Sequence, residues 1–250
     1  MKKKRLLIQL FLIAGLLFTA VTACDKSDDP GGDDSSSGTV KDADGNVYNT
    51  VKIGNQVWTV ENLKTTKYNN GKPIPNVTDN DEWINLTTGA YCNYDNLESN
   101  ADIYGRLYNW HAVNTGKLAP KGWHVPTWDD WKILRDYLIT NGFNYDGTRE
   151  DNKIAKSLCS KTNWDLSKDT SKPGCNPENN NSTGFTALPG GQRAYDHGTF
   201  FEMGSHGLWW SSSKFDDHDI YVMQLSNTMM SLEGYFDPMT MGFSVRLVKD

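Results

Sequence analysis

The stretch Gly242-Phe243-Ser244-Val245-Arg246-Leu247-Val248, close to the end of the chain, alternates apolar and polar residues. Phe243, Val245 and Leu247 fall on one side, and the intervening residues fall on the other. This period of two is typical of a β-strand with one buried face. Working back along the chain, the same kind of short apolar runs predicts further strands, at 185–188, 200–203, 207–211, 220–225 and 232–236.

The beginning of the folded region also predicts strands. Residues 47–53 and 56–60 are joined by Gly54-Asn55, a pair that favours a tight hairpin turn. A further short strand is predicted near 89–94.

The middle of the chain predicts helices instead. Thr127 and Asp130 have the spacing of a capping box, which predicts a helix near 127–140. Thr148 and Asp151 repeat that spacing before 149–159, and residues 103–113 show an approximate helical spacing. Helices in the middle and strands at both ends favour an α+β fold with antiparallel sheets.

The first residues resemble a lipoprotein leader. Met1–Arg5 is basic, and Leu6–Phe18 is too short an apolar run to span a bilayer comfortably. Val21-Thr22-Ala23-Cys24 resembles the bacterial lipobox. We therefore expect a signal peptide over 1–23 and lipidation of Cys24 with acyl chains such as palmitate. The alternative is an ordinary secretory signal in which this cysteine has no role.

The residues after the leader predict a flexible tether. Asp25–Gly38 has no apolar residue and is acidic and rich in Gly and Ser, so it cannot form a core. We expect the tether over 24–40 and a single domain over 41–250. The acidic stretch resembles the surface-export signal of Bacteroidetes lipoproteins, which implies an outer-membrane protein exposed on the cell surface. The alternative is a plain periplasmic spacer.

The charge balance restricts the partners. The chain has 25 Lys and Arg against 31 Asp and Glu, and loss of the four basic leader residues leaves a net charge of −10. Nucleic-acid binding requires basic patches, so it is disfavoured. The expected contact with membrane is through the lipid anchor.

Three cysteines remain in an oxidising compartment once Cys24 is assigned to lipid: Cys92, Cys159 and Cys175. Cys159 and Cys175 flank a polar loop. The sequence leaves two alternatives open for them: a disulfide that joins the two, or two free thiols. The spacings match no zinc pattern.

Six motifs follow one another in an order that resembles the Fibrobacter succinogenes major paralogous domain. The resemblance covers roughly 45–250. Members of that family occur largely among lipoproteins and secreted proteins. The motifs are Gln56–Leu63, Tyr104–Trp110, Ala119–Trp131, Gly184–Arg193, Trp209–Ser212 and Gly242–Arg246.

A more distant similarity is to the C-type-lectin-like fold in its formylglycine-generating-enzyme branch. It implies an α+β fold with short antiparallel sheets, two to three short helices and long loops. In that fold the two ends of the domain meet in one sheet, so the first hairpin and 243–248 are expected to lie close. Fold likeness does not establish function.

The sequence predicts neither catalysis nor a cofactor. The enzyme branch uses cysteines near the C-terminal end, whereas the last cysteine here is Cys175. His197 or His206 with Asp196 is the one catalytic alternative. Calcium requires six to eight oxygens, and the lectin calcium motifs are altered at Asn176–Asn179 and Trp210–Ser212. No metal site is therefore predicted, and the acidic loop after residue 215 is expected to be a solvated turn.

Aromatic residues in the predicted loops are the main functional lead, because sugar rings stack on them while carboxylates and amides bind hydroxyl groups. We expect a binding module for glycan or protein; the alternatives are a structural or adhesive envelope component and an unrecognised enzyme. Trp209 and Trp210 are adjacent in a predicted strand and point to opposite sides, so at least one is expected in the core. The candidate ligand-binding residues are Tyr195, Asp196, His197, Trp209, Trp210, Phe215, Asp216, Asp217 and Tyr235.

Overall fold

The first described element overlaps the end of the range predicted for the tether. The computed structural model describes residues 38–250. Its first strand, β1 (Thr39–Lys41), pairs with the strand over Val47–Ile53, so the folded region begins before residue 41. The predicted signal peptide, Cys24 and most of the predicted tether lie outside the described residues.

Short elements connected by loops make up residues 38–250, and no helix among them is long and apolar enough to cross a membrane. Five α-helices are present in this range, against the two to three predicted. They are α1 (Asn80–Ile84), α2 (Glu98–Tyr104), α3 (Trp110–Val113), α4 (Trp128–Thr140) and α5 (Ala155–Leu158). The strands after β1 are β2 (Val47–Ile53), β3 (Gln56–Thr59), β4 (Tyr91–Cys92), β5 (Leu107–Tyr108), β6 (Trp123–His124), β7 (Gly190–Arg193), β8 (Phe200–Met203), β9 (His206–Lys214), β10 (Asp219–Ser226), β11 (Glu233–Pro238) and β12 (Val248–Lys249).

The strands form several small antiparallel sheets, which confirms the predicted α+β class. One sheet has the order β1-β2-β3-β12-β6, so the last strand of the chain lies between the first hairpin and β6. Val248 is paired with Trp58 on one side and His124 on the other. A second sheet has the order β11-β10-β9, and β4-β5 and β7-β8 are two-stranded pairs.

Helix α4 begins where its capping box predicts. The Thr127 hydroxyl accepts a hydrogen bond from the Asp130 backbone N–H at 3.1 Å, and the Asp130 carboxylate accepts one from the Thr127 backbone N–H at 2.8 Å. These bonds satisfy two backbone donors that the first turn would otherwise leave unpaired. Asp130 also lies 3.1 Å from His124, which connects α4 to β6.

The other two helix predictions are wrong in extent. Thr148 donates from both its N–H and its hydroxyl to Asp146 within a turn, so it does not cap a helix, and α5 starts only at Ala155. The segment 103–113 contains the end of α2, strand β5 and α3. Gly105 ends α2 at a φ of +80°, and a Cβ there would lie 2.6 Å from the Cβ of Asn62.

The strand predicted over 185–188 is also absent from the described fold as a regular strand. Thr186 has a φ of +57°, outside the β region, and only a single bridge joins Ala187 to Cys159.

The β11-β10-β9 sheet, called the central sheet below, separates two apolar clusters. Because side chains alternate along a strand, Trp210 and Val222 lie in one cluster while Trp209 and Met223 lie in the other. Both tryptophans are fully buried. The prediction that either contributes to a binding surface is therefore wrong.

The stretch 242–248 is buried on both faces. Regular strand is confined to its end, and its earlier residues form single bridges, Phe243 to Tyr108 and Ser244 to Trp209. Between its apolar residues, Arg246 is fully buried and donates to Asn62 Oδ1 at 2.6 Å and to the Thr59 carbonyl at 2.7 Å. Arg246, a polar residue of the alternating pattern, thus lies in the interior of the domain with its guanidinium hydrogen-bonded.

The possible disulfide is absent, because Cys159 and Cys175 are both free thiols. Cys159 is fully buried in an apolar cluster, whereas Cys175 is half-buried in the polar loop. Cys92 is also free and fully buried, and burial raises the pKa of its thiol to about 12. Neither buried thiol is ionised near neutral pH.

Candidate functional site

A cleft of about 450 Å³ lies between the β7–β8 hairpin and the β10–β11 pair. Its two walls come from sequence-distant parts of the chain. On the sheet wall, Val222 is paired with Tyr235 and Ile220 with Asp237. Alternation along β11 therefore directs Tyr235 and Asp237 to the same face, into the cleft.

Three aromatic rings line this cleft: Tyr195, Phe201 and Tyr235. Tyr195 lies in the loop between β7 and β8, and its side chain is 47 % exposed. Phe201 comes from β8, and Tyr235 from β11. Rings that remain accessible in a concave surface can stack on the apolar face of a ligand.

The polar lining consists of carboxylates, amides and one imidazole. Asp196, Glu202 and Asp237 provide the carboxylates, and Gln192 and Gln224 provide the amides. The Gln192 amide donates to the Glu202 carboxylate.

Glu202 has an unusual backbone conformation, with a φ of +67°. This region is uncommon for residues other than glycine, and such strain tends to concentrate at functional positions. Gly191, on the paired strand, has a φ of +64°, and a Cβ there would lie 2.6 Å from the Met203 backbone N. The hairpin is thus irregular at the point where Glu202 reaches the cleft.

Asp237 is the most perturbed acid of the cleft. Burial raises the pKa of its carboxyl to about 6, and the negative charges of Asp219 and Glu202 add to this effect. A hydrogen bond from Tyr235 acts in the opposite direction. Near neutral pH the carboxyl is mostly ionised in an unfavourable environment.

The rim of the cleft is held by a buried arginine. Arg193 follows Gln192 in β7 and donates to the carbonyls of Gly198, Val77 and Thr78 at 2.7, 2.6 and 3.0 Å. Its guanidinium also stacks on Trp83 at 4.5 Å. These bonds join the β7–β8 loop to the segment before α1, and they direct the charge of Arg193 away from the cleft.

The structure brings together four of the predicted ligand-binding residues: Tyr195, Asp196, His197 and Tyr235. His197 Nε2 lies 3.4 Å from Asp196 Oδ1, and its Nδ1 lies 2.8 Å from the Thr199 hydroxyl. Both side chains are more than half exposed on the rim.

The other predicted residues lie elsewhere. The Phe215 ring stacks on Phe236 at 4.1 Å, and Phe236 points away from the cleft because it alternates with Tyr235. Asp216 accepts backbone hydrogen bonds from His218 and Asp219, which lower its pKa and close the β9–β10 turn. Asp217 lies in the same turn and does not line the cleft.

Five cleft residues had no signal strong enough to single them out from the sequence: Gln192, Phe201, Glu202, Gln224 and Asp237. Gln192 lies in one of the six motifs, but motif membership did not separate it from buried neighbours. Asp237 follows Tyr235 by two residues, so the period of β11 places the two on one face. Placing both side chains in the cleft also requires the strand register, which the sequence does not contain.

The fold and the cleft define a mixed α+β domain with several small antiparallel sheets and one concave face lined by aromatic and acidic residues. The Fibrobacter succinogenes major domain model matches residues 51–249, nearly the whole described region. The chain therefore belongs to the Fibrobacter succinogenes major domain family, as the six motifs indicated. No curated protein and no solved structure matches the chain.

Proposed function

We propose that this domain is a non-catalytic glycan-binding module and that the cleft between β7–β8 and β10–β11 is its binding site. The single observation that supports this most is the combination of three aromatic rings with carboxylates and amides in one concave surface. Pyranose rings present apolar faces for stacking and hydroxyl groups for hydrogen bonds, and the lining offers partners for both.

The wider likeness to C-type-lectin-like domains is part of the same proposal. It is supported by the contact of the two ends of the domain, where Leu247 accepts a hydrogen bond from the Thr59 N–H at 3.0 Å and Val248 pairs with Trp58.

The cell-surface location is likewise a proposal. It depends on lipidation of Cys24, which lies outside the described residues, and on the acidic tether behind it. We expect the native product to begin at Cys24 and to carry acyl chains on that residue, since several chains together anchor a protein stably. Mass spectrometry of the N-terminal peptide from membrane fractions tests this. A peptide that still contains the leader, or an unmodified cysteine, would contradict it.

Tyr195→Ala is expected to weaken glycan binding at least about tenfold, because it removes the stacking ring on the rim. Its side chain is 47 % exposed, so the free energy of unfolding should change by less than about 0.5 kcal/mol. A glycan array with the full chain identifies the ligand, and titration of the variants measures the loss.

The matched control is Phe215→Ala, since Phe215 is equally exposed at 47 % but lies outside the cleft. Unchanged binding in Tyr195→Ala would place the site elsewhere. The absence of any bound glycan would favour the structural role instead, and release of sugar fragments would favour an enzyme.

A second candidate, binding of a protein, is favoured by one observation. Phe215 and Phe236 form an exposed, parallel stack beside β11, which is an edge strand of its sheet. Aromatic residues are enriched in protein interfaces. Partner binding that is lost in Phe215→Ala and retained in Tyr195→Ala would support this candidate.

A further inference from the structure

The acidic groups of the cleft have histidine neighbours, His197 beside Asp196 and His206 beside Glu202, but no lysine or arginine partner among the described residues. The lining contains Asp196, Glu202 and Asp237, and none of the described residues that form it is Lys or Arg. The nearest basic residue in sequence, Arg193, donates its guanidinium N–H groups to backbone carbonyls on the other side of the hairpin. The described lining of the cleft therefore combines three carboxyl groups with no permanently charged cation.

A second charged cleft of the same domain shows the contrast. It is lined in part by Asp44, Glu98 and Arg106. There, Glu98 forms an ion pair with Arg106 at 2.8 Å, and Asp44 forms one with Lys67 at 3.0 Å. These two carboxylates already have cationic partners, whereas those between β7–β8 and β10–β11 lack a lysine or arginine partner.

The environment of Asp237 also favours the binding of a positive charge. Burial and the neighbouring charges of Asp219 and Glu202 disfavour its ionised form. A cation bound in the cleft would relieve this repulsion, so the site favours a positively charged ligand over a neutral one.

The aromatic rings and the arrangement of the acidic side chains favour an organic cation over a metal ion. Among the described residues, no group of three or more His, Cys, Asp or Glu side chains is arranged to hold a metal ion. Aromatic faces such as those of Tyr195 and Tyr235 attract organic ammonium groups, and carboxylates beside them complete the recognition.

We infer that the cleft binds an amino sugar whose amine is free and protonated, with the ammonium group among Asp237, Glu202 and Tyr235 and the sugar ring against Tyr195. This inference rests on the proposed glycan-binding function and names the chemical class of its ligand.

The test compares two trisaccharides with the same backbone, the trimer of glucosamine and the trimer of N-acetylglucosamine, which differ in having ammonium or acetamide groups. The full chain in detergent should bind the glucosamine trimer at least about tenfold more tightly at pH 7 and low salt. Added salt should reduce this preference, because charge attraction produces it.

Asp237→Asn and Glu202→Gln should each abolish the preference for the free amine. Asp217→Asn is the matched control, since it removes one exposed charge from the acidic turn outside the cleft. Equal loss in the control would show nonspecific attraction to an acidic protein and would overturn the inference. Equal affinity for both trimers, or a preference for the acetylated one, would overturn it while leaving the glycan-binding function intact. Failure of every glycan on the array would instead contradict the proposed function.

The pH dependence provides a second readout. With the pKa of Asp237 at about 6, lowering the pH from 7 to 5 protonates this carboxyl and should weaken binding of the glucosamine trimer about tenfold. Asp219, Glu202 and Tyr235 face Asp237, and His197 and His206 also affect the charge of the site. Asp237→Asn separates these contributions: if it retains the full pH dependence, Asp237 does not contact the amine.

Discussion

Arg246→Met is expected to lower the free energy of unfolding by about 4 kcal/mol. Arg246 is fully buried and donates hydrogen bonds to Asn62, Thr59, Phe185 and Thr186 at 2.6 to 3.0 Å. Methionine removes every donor and leaves those acceptors buried, and each unpaired group costs about 1–3 kcal/mol. A loss of this size is a large part of the stability of an ordinary domain.

The position also explains why the charge is tolerated. Burial lowers the pKa of Arg246 to about 9, which still leaves the guanidinium protonated near neutral pH. The central carbon of its guanidinium lies 4.7 Å from the centre of the Phe185 ring, and its acceptors come from two separate segments of the chain. The side chain therefore joins the C-terminal stretch to the β3 end and to the irregular segment at 185–186.

Urea unfolding of the full chain, followed by tryptophan fluorescence, measures the effect. Arg149→Met is the matched control because Arg149 is exposed, and its change should stay within about 0.5 kcal/mol. Arg246→Lys keeps a charge and some donors, so it provides a smaller, measurable loss even where the methionine variant does not fold. Similar midpoints for Arg246→Met and Arg149→Met would show that the buried hydrogen bonds contribute little.

Trp209→Ala is expected to destabilise the domain by about 3–5 kcal/mol, since a fully buried indole is replaced by a cavity. The ring lies 6.3 Å from Trp131 and 6.5 Å from Phe185, and its Nε1 donates to Asn62 Oδ1 at 2.9 Å. The same oxygen accepts from Arg246, so we expect the two substitutions to be non-additive.

A measurement of ligand binding distinguishes a core role of Trp209 from the ligand-binding role predicted from the sequence. Trp209 lies on the face of the central sheet opposite the cleft, so the affinity of the folded molecules should not change. Trp209→Phe retains most of the ring and loses the N–H, and a loss of about 1–2 kcal/mol is expected from it. A folded, stable Trp209→Ala protein that no longer binds its ligand would contradict this assignment.

Helix α4 shows what short-range sequence patterns can predict correctly. Its capping box requires only Thr127 and Asp130, three residues apart, so the sequence predicts its start correctly. The first hairpin follows from the Gly54 turn in the same way. At Thr148 the backbone N–H that a capping box would pair with Asp151 donates to Asp146 instead, and the spacing alone contains no information on that competition.

The C-terminal stretch shows where such patterns end. Alternation predicts one buried face, but both faces are buried, because Arg246 finds its acceptors near residues 60 and 185. Likewise, the adjacent Trp209 and Trp210 point to opposite faces of β9 and enter two different apolar clusters, because the central sheet is covered on both faces there.

The sequence by itself determined the family, the α+β class, the first hairpin and the capped start of α4, because each depends on residue types at short spacing. Only the tertiary structure decided which candidate residues meet. Tyr195 and Tyr235 are forty positions apart, and they reach one cleft through the pairing of β7 with β8 and of β10 with β11. Strand register and side-chain burial depend on contacts between distant segments, and a slip of one residue would direct Tyr235 and Asp237 to the opposite face.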